Sequence, residues 1–308
     1  MEKGPRLLYV DRMKKIMGVA LWLGCSLLVG CAGAPGSRAR WVSVSEPKGC
    51  ALLIDPARST FVLHEVQSGR TYACNADRAE RRFAPASTFK VPHALIALES
   101  GAVADESARF VWDGRPRGVN AWDKDTSLAE AIPASTVWVF QTIATRLGRA
   151  REAAAVGRLG YGNADVGGPD ELRRFWLSGP LAISAIEQVR FLKGLRASAL
   201  AADRRSQARV VVMLRLRDCG RGCAIYGKTG AMLPIDEEGF LREGEASLLQ
   251  AGVERTGWFV GWVERPESAG GPVVFAHNLD LSLPGAMAAR TRVAHDVLRA
   301  NGVPIGED

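Results

Sequence analysis

Strand-like sequence lies near both ends of the chain and helical sequence lies between them. This placement restricts the possible folds more than any other feature. "CALLID" and "TFVLHEV" (residues 50–55 and 60–66) read as two strands joined by a turn at Pro56-Ala57-Arg58. Strand text returns at "CAIYGKTG", "TGWFVGWVE" and "PVVFAHNLDL" (residues 223–230, 256–264 and 272–281). The intervening "STVWVFQTIATRLG", "ISAIEQVRFLKGLRAS" and "RRSQARVVVMLRL" read as helices, the first two with apolar residues at helical spacing. A last amphipathic helix is expected over residues 286–300. Strands at both ends imply one sheet closed by the termini, an α/β fold with a helical insertion.

The first residues are of a different kind. "MKKIMGVALWLGCSLLVGC" (residues 13–31) has a basic start, an apolar run from Ile16 to Gly30 and small residues after it, the pattern of an export signal. Met13 makes a better start than Met1, because the basic residues then stand at the beginning. The run is short for a membrane span. Leu28-Val29-Gly30-Cys31 matches a lipobox with Cys31 as the lipidated residue; cleavage after Ala32-Gly33-Ala34 is the alternative. Residues 1–31 are therefore read as the signal, 32–48 as a tether and 49–308 as the domain. The signal also affects the charge argument. The chain carries a formal +7, and residues 1–30 hold five basic and two acidic side chains, so +4 remains beyond them. The remaining Arg and Lys alternate with Asp and Glu and form no basic stripe, which argues against nucleic acid as a partner.

Export to an oxidising compartment sets the reading of Cys50, Cys74, Cys219 and Cys223. Four cysteines allow three pairings, and Cys50–Cys74 with Cys219–Cys223 is favoured because both are local. Zinc competes poorly, since C-x3-C is an unfavourable spacing and no histidine lies near either pair.

Two short motifs carry chemistry. In "PASTFKVPHALIALESG" (residues 85–101) Ser87 and Lys90 stand three apart and share a helical face. Ser87 is expected to open a helix running to Ser100, stopped by Gly101, although Pro92 then falls deep for a first-turn proline. A Ser and Lys at this spacing ordinarily form a solvated surface pair. Here the flanks Phe89, Val91, Ala94, Leu95 and Ile96 are apolar, so Lys90 is expected to be desolvated, and a desolvated lysine can serve a serine as base. "YGKTGA" (residues 226–231) places Lys228 and Thr229 on a strand, with Gly230 allowing close backbone approach. No G-x-S-x-G elbow is present, and His64, His93, His277 and His295 form no spaced cluster.

With S-x-x-K early and K-T-G late, the chain resembles the penicillin-recognising serine enzymes, and among them the class D (oxacillinase-type) β-lactamases. Ser135-Thr136-Val137 matches the class's S-x-V, and Tyr161-Gly162-Asn163 matches its Y-G-N. "FWLSGPLAISAIEQVRFL" matches the region around a tryptophan, here Trp176. "TGWFVGWVE" and "FAHNLDL" are also similar. The resemblance runs from about Cys50 to the C-terminus, with the motifs in the family's order.

The resemblance implies a β-lactamase/transpeptidase-like fold, a mostly antiparallel sheet flanked by helices with an all-helical region beside it. It implies Ser87 as the nucleophile, the Ser87 and Ala231 backbone N–H groups as the oxyanion hole, and Ser135 as proton relay to the leaving nitrogen. Lys228, Thr229 and Gly230 would line the opposite wall. Arg290, rather than Arg292, would bind the substrate carboxylate, by its register against Val293 and Leu298. Lys90 would act as an N-carboxylated lysine, with carbon dioxide as the source of its carbamate and no metal. Trp176 would donate its indole N–H to that carbamate under the apolar cover of Val137 and Leu177, and Asn163 would shape the loop leading to Trp176. One departure stands out: residues 231–256 are longer than the hairpin the family usually places there, and are expected to hang in solvent. The expected function is β-lactam hydrolysis in the periplasm. A penicillin-binding sensor or transpeptidase that acylates without turnover is the alternative, and a non-catalytic binding protein is a third reading.

Overall fold

The computed structural model describes residues 45–242 and 254–306. The expected export signal, the Met13 start, the Cys31 lipidation site and most of the tether lie outside the described residues.

The sheet begins with β1 (Ser59–Glu65) and β2 (Thr71–Cys74), followed by α1 (Ala76–Glu80), β3 (Arg82–Phe83) and α2 (Lys90–Glu99). The helical region then runs through β4 (Arg109–Phe110), β5 (Thr126–Ser127), α3 (Leu128–Ala134), α4 (Val137–Leu147) and α5 (Arg149–Leu159). It closes with β6 (Ile183–Ser184), α6 (Ala185–Arg196) and α7 (Arg204–Met213). The chain returns to the sheet as β7 (Arg215–Gly220), β8 (Cys223–Ala231), β9 (Thr256–Glu264) and β10 (Val273–Asp280), and ends in α8 (Ala286–Ala300). The six-stranded sheet has the order β2-β1-β10-β9-β8-β7, antiparallel throughout, so strands from the two ends meet at β1 and β10.

Both faces of this sheet are buried, and side-chain alternation divides the core. Val62, Trp258, Val260, Trp262, Val274 and Ala276 face the helical region, whereas Phe61, Phe259, Val263, Val273 and Phe275 face α8. On that second face α8 contributes Ala289, Val293 and Val297. Each large apolar side chain taken fully out of water contributes about 1.5–3 kcal/mol, so the central strands anchor both layers.

Several expectations need correction. "CALLID" is not a strand. Gly49 turns the chain at φ 87°, and Cys50–Leu52 form a single 3₁₀ turn tied by the Cys50–Cys74 disulfide to the end of β2. The hairpin partner of β1 is instead β2, which follows a turn closed by Gly69 N–H to the Glu65 carbonyl at 2.9 Å. The end of the expected tether is docked: Ser45 bridges Tyr72, and the Lys48 N–H donates to Asn301 Oδ1 at 3.0 Å. "RRSQARVVVMLRL" stops being helical after Met213, because Arg215 onward pairs with β8. The Cys219–Cys223 pair is bonded as expected, across the hairpin of β7 and β8.

The first half of the long loop does not hang in solvent. Residues 232–242 fold back as a strap closed by the Ile235–Leu241 bridge. The Phe240 ring lies under the guanidinium groups of Arg115, Arg117 and Arg242 at 4.4, 5.2 and 5.0 Å. Gln141 of α4 donates to the Asp236 and Arg173 carbonyls at 3.0 and 3.2 Å, and the Leu241 N–H donates to the Arg117 carbonyl at 3.0 Å. An aromatic anchor and satisfied backbone groups hold the strap to the helical region. Residues 243–253 lie outside the described residues.

Candidate active site

Ser87 sits in a 3₁₀ turn, Ala86–Phe89, and the α-helix begins only at Lys90. Pro92 is therefore the third residue of α2, within the first turn, where its missing N–H leaves no helical bond unmade. Ala86 takes φ 48°, a conformation costly for alanine, and holds the turn that presents Ser87. Beside it, Gly230 of β8 is required by space, because a Cβ there would lie 2.9 Å from the Pro85 carbonyl oxygen.

Lys90 Nζ lies 2.8 Å from Ser87 Oγ, and the lysine is fully buried. The ammonium is 5.3 Å from the centre of the Phe140 ring. Burial, with the Lys228 charge as a smaller influence, holds the Lys90 amine well below its ordinary pKa. Trp176 is also fully buried, and its indole N–H has no hydrogen-bond partner in the protein. Phe89 stacks on Trp176 at 5.9 Å, and Val137 and Leu177 are buried in the same apolar cluster. The lysine pocket is thus enclosed and aromatic, and the Trp176 N–H is a donor within it that no protein group accepts. Asn163 secures the loop leading to Trp176: its side chain donates to the Pro180 carbonyl at 2.8 Å and accepts from the Ala182 N–H at 2.9 Å.

The opposite wall brings together residues far apart in sequence. Ser135 caps α3 at φ 60°, so its hydroxyl leaves the helix axis. Lys228 Nζ donates to Ser135 Oγ at 3.0 Å and to the Thr229 carbonyl at 2.9 Å. Burial, helped by the positive Arg290, lowers the Lys228 pKa to about 7. Arg290 reaches from α8 and donates to the Gly230 carbonyl at 2.9 Å, whereas Arg292 points away and pairs with Asp296 at 3.5 Å. Of the two, Arg290 is thus the guanidinium that lies beside the β8 strand. His277 of β10, which the sequence did not single out, has Nδ1 2.8 Å from the Arg290 carbonyl. Burial lowers the His277 pKa to about 4, so the ring is neutral and donates from Nδ1.

The outer edge of β8 is open beyond Gly227. The Gly227 N–H turns outward to the Leu214 carbonyl, and the Met232 N–H turns inward to the Thr256 carbonyl on β9. By strand alternation Thr229 and Ala231 present their backbone groups outward, and Gly230 between them abuts the Ser87 turn. The residues singled out by motif thus converge: a nucleophile beside a depressed amine, a hydroxyl–ammonium pair, a free strand edge and a guanidinium. Among the described residues no group of three or more His, Cys, Asp or Glu could hold a metal ion.

Comparison with known proteins agrees with this geometry. The penicillin binding protein transpeptidase domain matches residues 49–299. Beta-lactamase OXA-5 of Pseudomonas aeruginosa is 35% identical over 252 residues, 82% of this chain and 87% of that protein. Beta-lactamase OXA-48 of Klebsiella pneumoniae is 33% identical over 243 residues, covering 79% and 83%. Among solved structures, a class D β-lactamase YbXI from Nostoc superposes with a TM-score of 0.73 at 29% identity, covering 84% of this chain and all of that one. A class D β-lactamase from Bacillus subtilis gives 0.67 at 32% identity, covering 80% and 92%. Motif order, sheet topology, the Ser87–Lys90 contact and these relatives lead to one assignment: the chain belongs to the class D β-lactamases, serine hydrolases on the penicillin-binding transpeptidase fold.

Proposed function

We propose that the protein hydrolyses β-lactam antibiotics through an acyl-enzyme on Ser87, with N-carboxylated Lys90 as the general base. The observation that carries this reading is a fully buried Lys90 2.8 Å from Ser87 Oγ, in a pocket with an unpartnered Trp176 N–H. An ordinary lysine, with a pKa of about 10.4, is protonated at neutral pH and takes no proton from a serine. A depressed amine is free to add carbon dioxide. The carboxyl group so formed supplies an anionic base, and the Trp176 N–H is the donor available to hold it.

Ser87 Oγ bonds to the lactam carbonyl carbon as its proton passes to carboxylated Lys90. The Ser87 and Ala231 N–H groups receive the developing oxyanion. The ring C–N bond breaks and the nitrogen takes a proton from Ser135, which is replenished from Lys228; a group with a pKa near 7 can give and regain that proton. Arg290 and Thr229 hold the substrate carboxylate, the guanidinium through charge-assisted hydrogen bonds. The proton Lys90 took from Ser87 passes on to refill Lys228, leaving carboxylated Lys90 anionic again. It then takes a proton from water, the water oxygen bonds to the acyl carbon, and Ser87 leaves with that proton returned to it by Lys90. Side chains and water supply every proton and bond in this cycle, so it calls for no metal.

The test is turnover of a chromogenic cephalosporin in carbon-dioxide-depleted buffer, with bicarbonate then restored. Activity is expected to fall and return. Turnover indifferent to bicarbonate at every pH would sink the carbamate, and a single trapped equivalent would identify a sensor or transpeptidase instead. We propose further that the protein works in the periplasm, anchored through lipid on Cys31. Cys31→Ser is expected to release it from membranes; a wild-type protein already soluble and starting near Pro35 would indicate ordinary cleavage.

A further inference from the structure

Behind the lysine pocket lies a buried polar pair that the proposed chemistry does not use. His93 of α2 stands one helical turn beyond Lys90, and Glu152 is in the first turn of α5. His93 Nε2 and Glu152 Oε1 are 2.5 Å apart, and both side chains are completely excluded from solvent. Such a pair is costly to bury and adds little net stability, so its place in an otherwise apolar cluster calls for a reason.

The ring contacts supply one. Trp176 has no protein hydrogen bond to fix its indole, so its orientation depends on the rings around it. Phe175 meets it edge-on at 4.9 Å, Phe89 stacks at 5.9 Å and His93 meets it at 5.3 Å and 64°. His93 also contacts Phe89 at 5.1 Å and Phe140 at 5.6 Å, the ring over which Lys90 Nζ sits. Of the three rings touching Trp176, His93 alone carries a polar atom that a second helix can hold. Without Glu152, the imidazole could turn about its χ2, where rotation is soft, and the indole would lose a wall.

We propose that His93 and Glu152 are positioning residues: Glu152, from α5, fixes the His93 ring, and that ring fixes the Trp176 indole N–H for deacylation. The inference rests on the role of Trp176 proposed above. It assigns this pair to the second half of the reaction, since Ser87 and Lys90 keep their own contact across the 3₁₀ turn that leads into α2.

The test uses the whole exported protein with Glu152→Leu and Glu152→Gln. Single-turnover acylation and deacylation are measured separately, and the Trp176 indole N–H resonance is followed by ¹⁵N NMR, assigned through Trp176→Phe. Glu152→Leu is expected to slow deacylation about 10-fold with acylation within about twofold, as a small misplacement of a reacting group would. It is also expected to shift or broaden the indole signal, and Glu152→Gln, which keeps a polar contact to the ring, to restore both. Equal slowing of the two steps, or an unmoved indole signal, would overturn the proposal. Should Glu152→Leu not fold, the His93→Phe/Glu152→Leu double variant, which leaves no unpaired polar group, is measured in its place. Slow deacylation there sustains the proposal and wild-type deacylation overturns it. If wild-type turnover ignores bicarbonate while Glu152→Leu still moves the indole and slows deacylation, the carbamate fails and the positioning role stands.

Discussion

The two lysines of the site are both buried, yet they are built in opposite ways. Lys90 lies three residues from its partner Ser87, and its surroundings are aromatic and enclosed. Lys228 meets Ser135 across 93 positions of sequence, and its neighbours are a hydroxyl, a carbonyl and the cation Arg290. Burial holds the Lys90 amine well below its ordinary range, and burial beside Arg290 brings Lys228 to about 7. One fold can thus give two identical groups two different environments. In the proposed mechanism the aromatic pocket serves an amine that is modified, and the more polar one serves an ammonium that passes a proton at neutral pH.

Deleting each amine tests that division. Lys90→Ala is expected to lower kcat/KM by about 10⁴-fold with no recovery in bicarbonate, because the base of both steps is gone. Lys228→Ala is expected to cost about 10²-fold, mostly in acylation, because only the leaving nitrogen loses its proton supply. Rapid-mixing kinetics with a chromogenic cephalosporin separate the two. Equal losses in both steps for both variants would break the comparison.

A smaller effect is expected where the Lys228 wall meets substrate. Arg290→Ala should raise KM by about 10-fold with kcat less affected, the loss of one or two charge-assisted hydrogen bonds. Arg292→Ala should leave both parameters unchanged, since that guanidinium faces Asp296. Steady-state kinetics on a penicillin check the pair, and an effect of Arg292 equal to that of Arg290 would refute the assignment.

The smallest effect is one of stability and also belongs to the Lys228 side. His277 has a folded-state pKa of about 4, below the ordinary value, so the unfolded chain binds the proton first on acidification. Its stabilising influence is complete above about pH 6.5 and declines as pH falls toward 4, by at most about 3 kcal/mol. Urea unfolding of wild type at pH 7 and pH 5, compared with His277→Gln, reads this out. The wild type should lose more stability across that interval than the variant.

Each side of the site differed in how far it could be read in advance. The Ser87–Lys90 pair was legible because a three-residue spacing on a helical turn places both side chains on one face whatever surrounds it. The sheet was legible where apolar residues fill β9 and β10 on both faces, and α8 was legible from its amphipathic period. "CALLID" misled because five of its six residues are apolar or cysteine, while a left-handed Gly49 and a disulfide decided its local structure. The strap at 232–242 misled for the opposite reason. "PIDEEG" reads as a polar loop, and only Phe240 beneath three arginines and Gln141 beneath its backbone reveal that it is docked.

The elements with local patterns could be read from the chain: the helical turn carrying Ser87 and Lys90, the strand periodicity and the order of the motifs, whereas the cysteine pairing was favoured among three and the folded chain fixed it. Tertiary structure alone decided what those residues face. It brought Ser135 to Lys228, turned Arg290 to the Gly230 carbonyl and Arg292 to Asp296, set His277 behind Arg290, left the Trp176 N–H unpartnered and placed Glu152 against His93. The physical reason is range. Backbone geometry fixes neighbours three or four residues apart, whereas desolvation and long-range contact depend on which surfaces the whole chain folds together, and the strength of each titrating group follows from that burial.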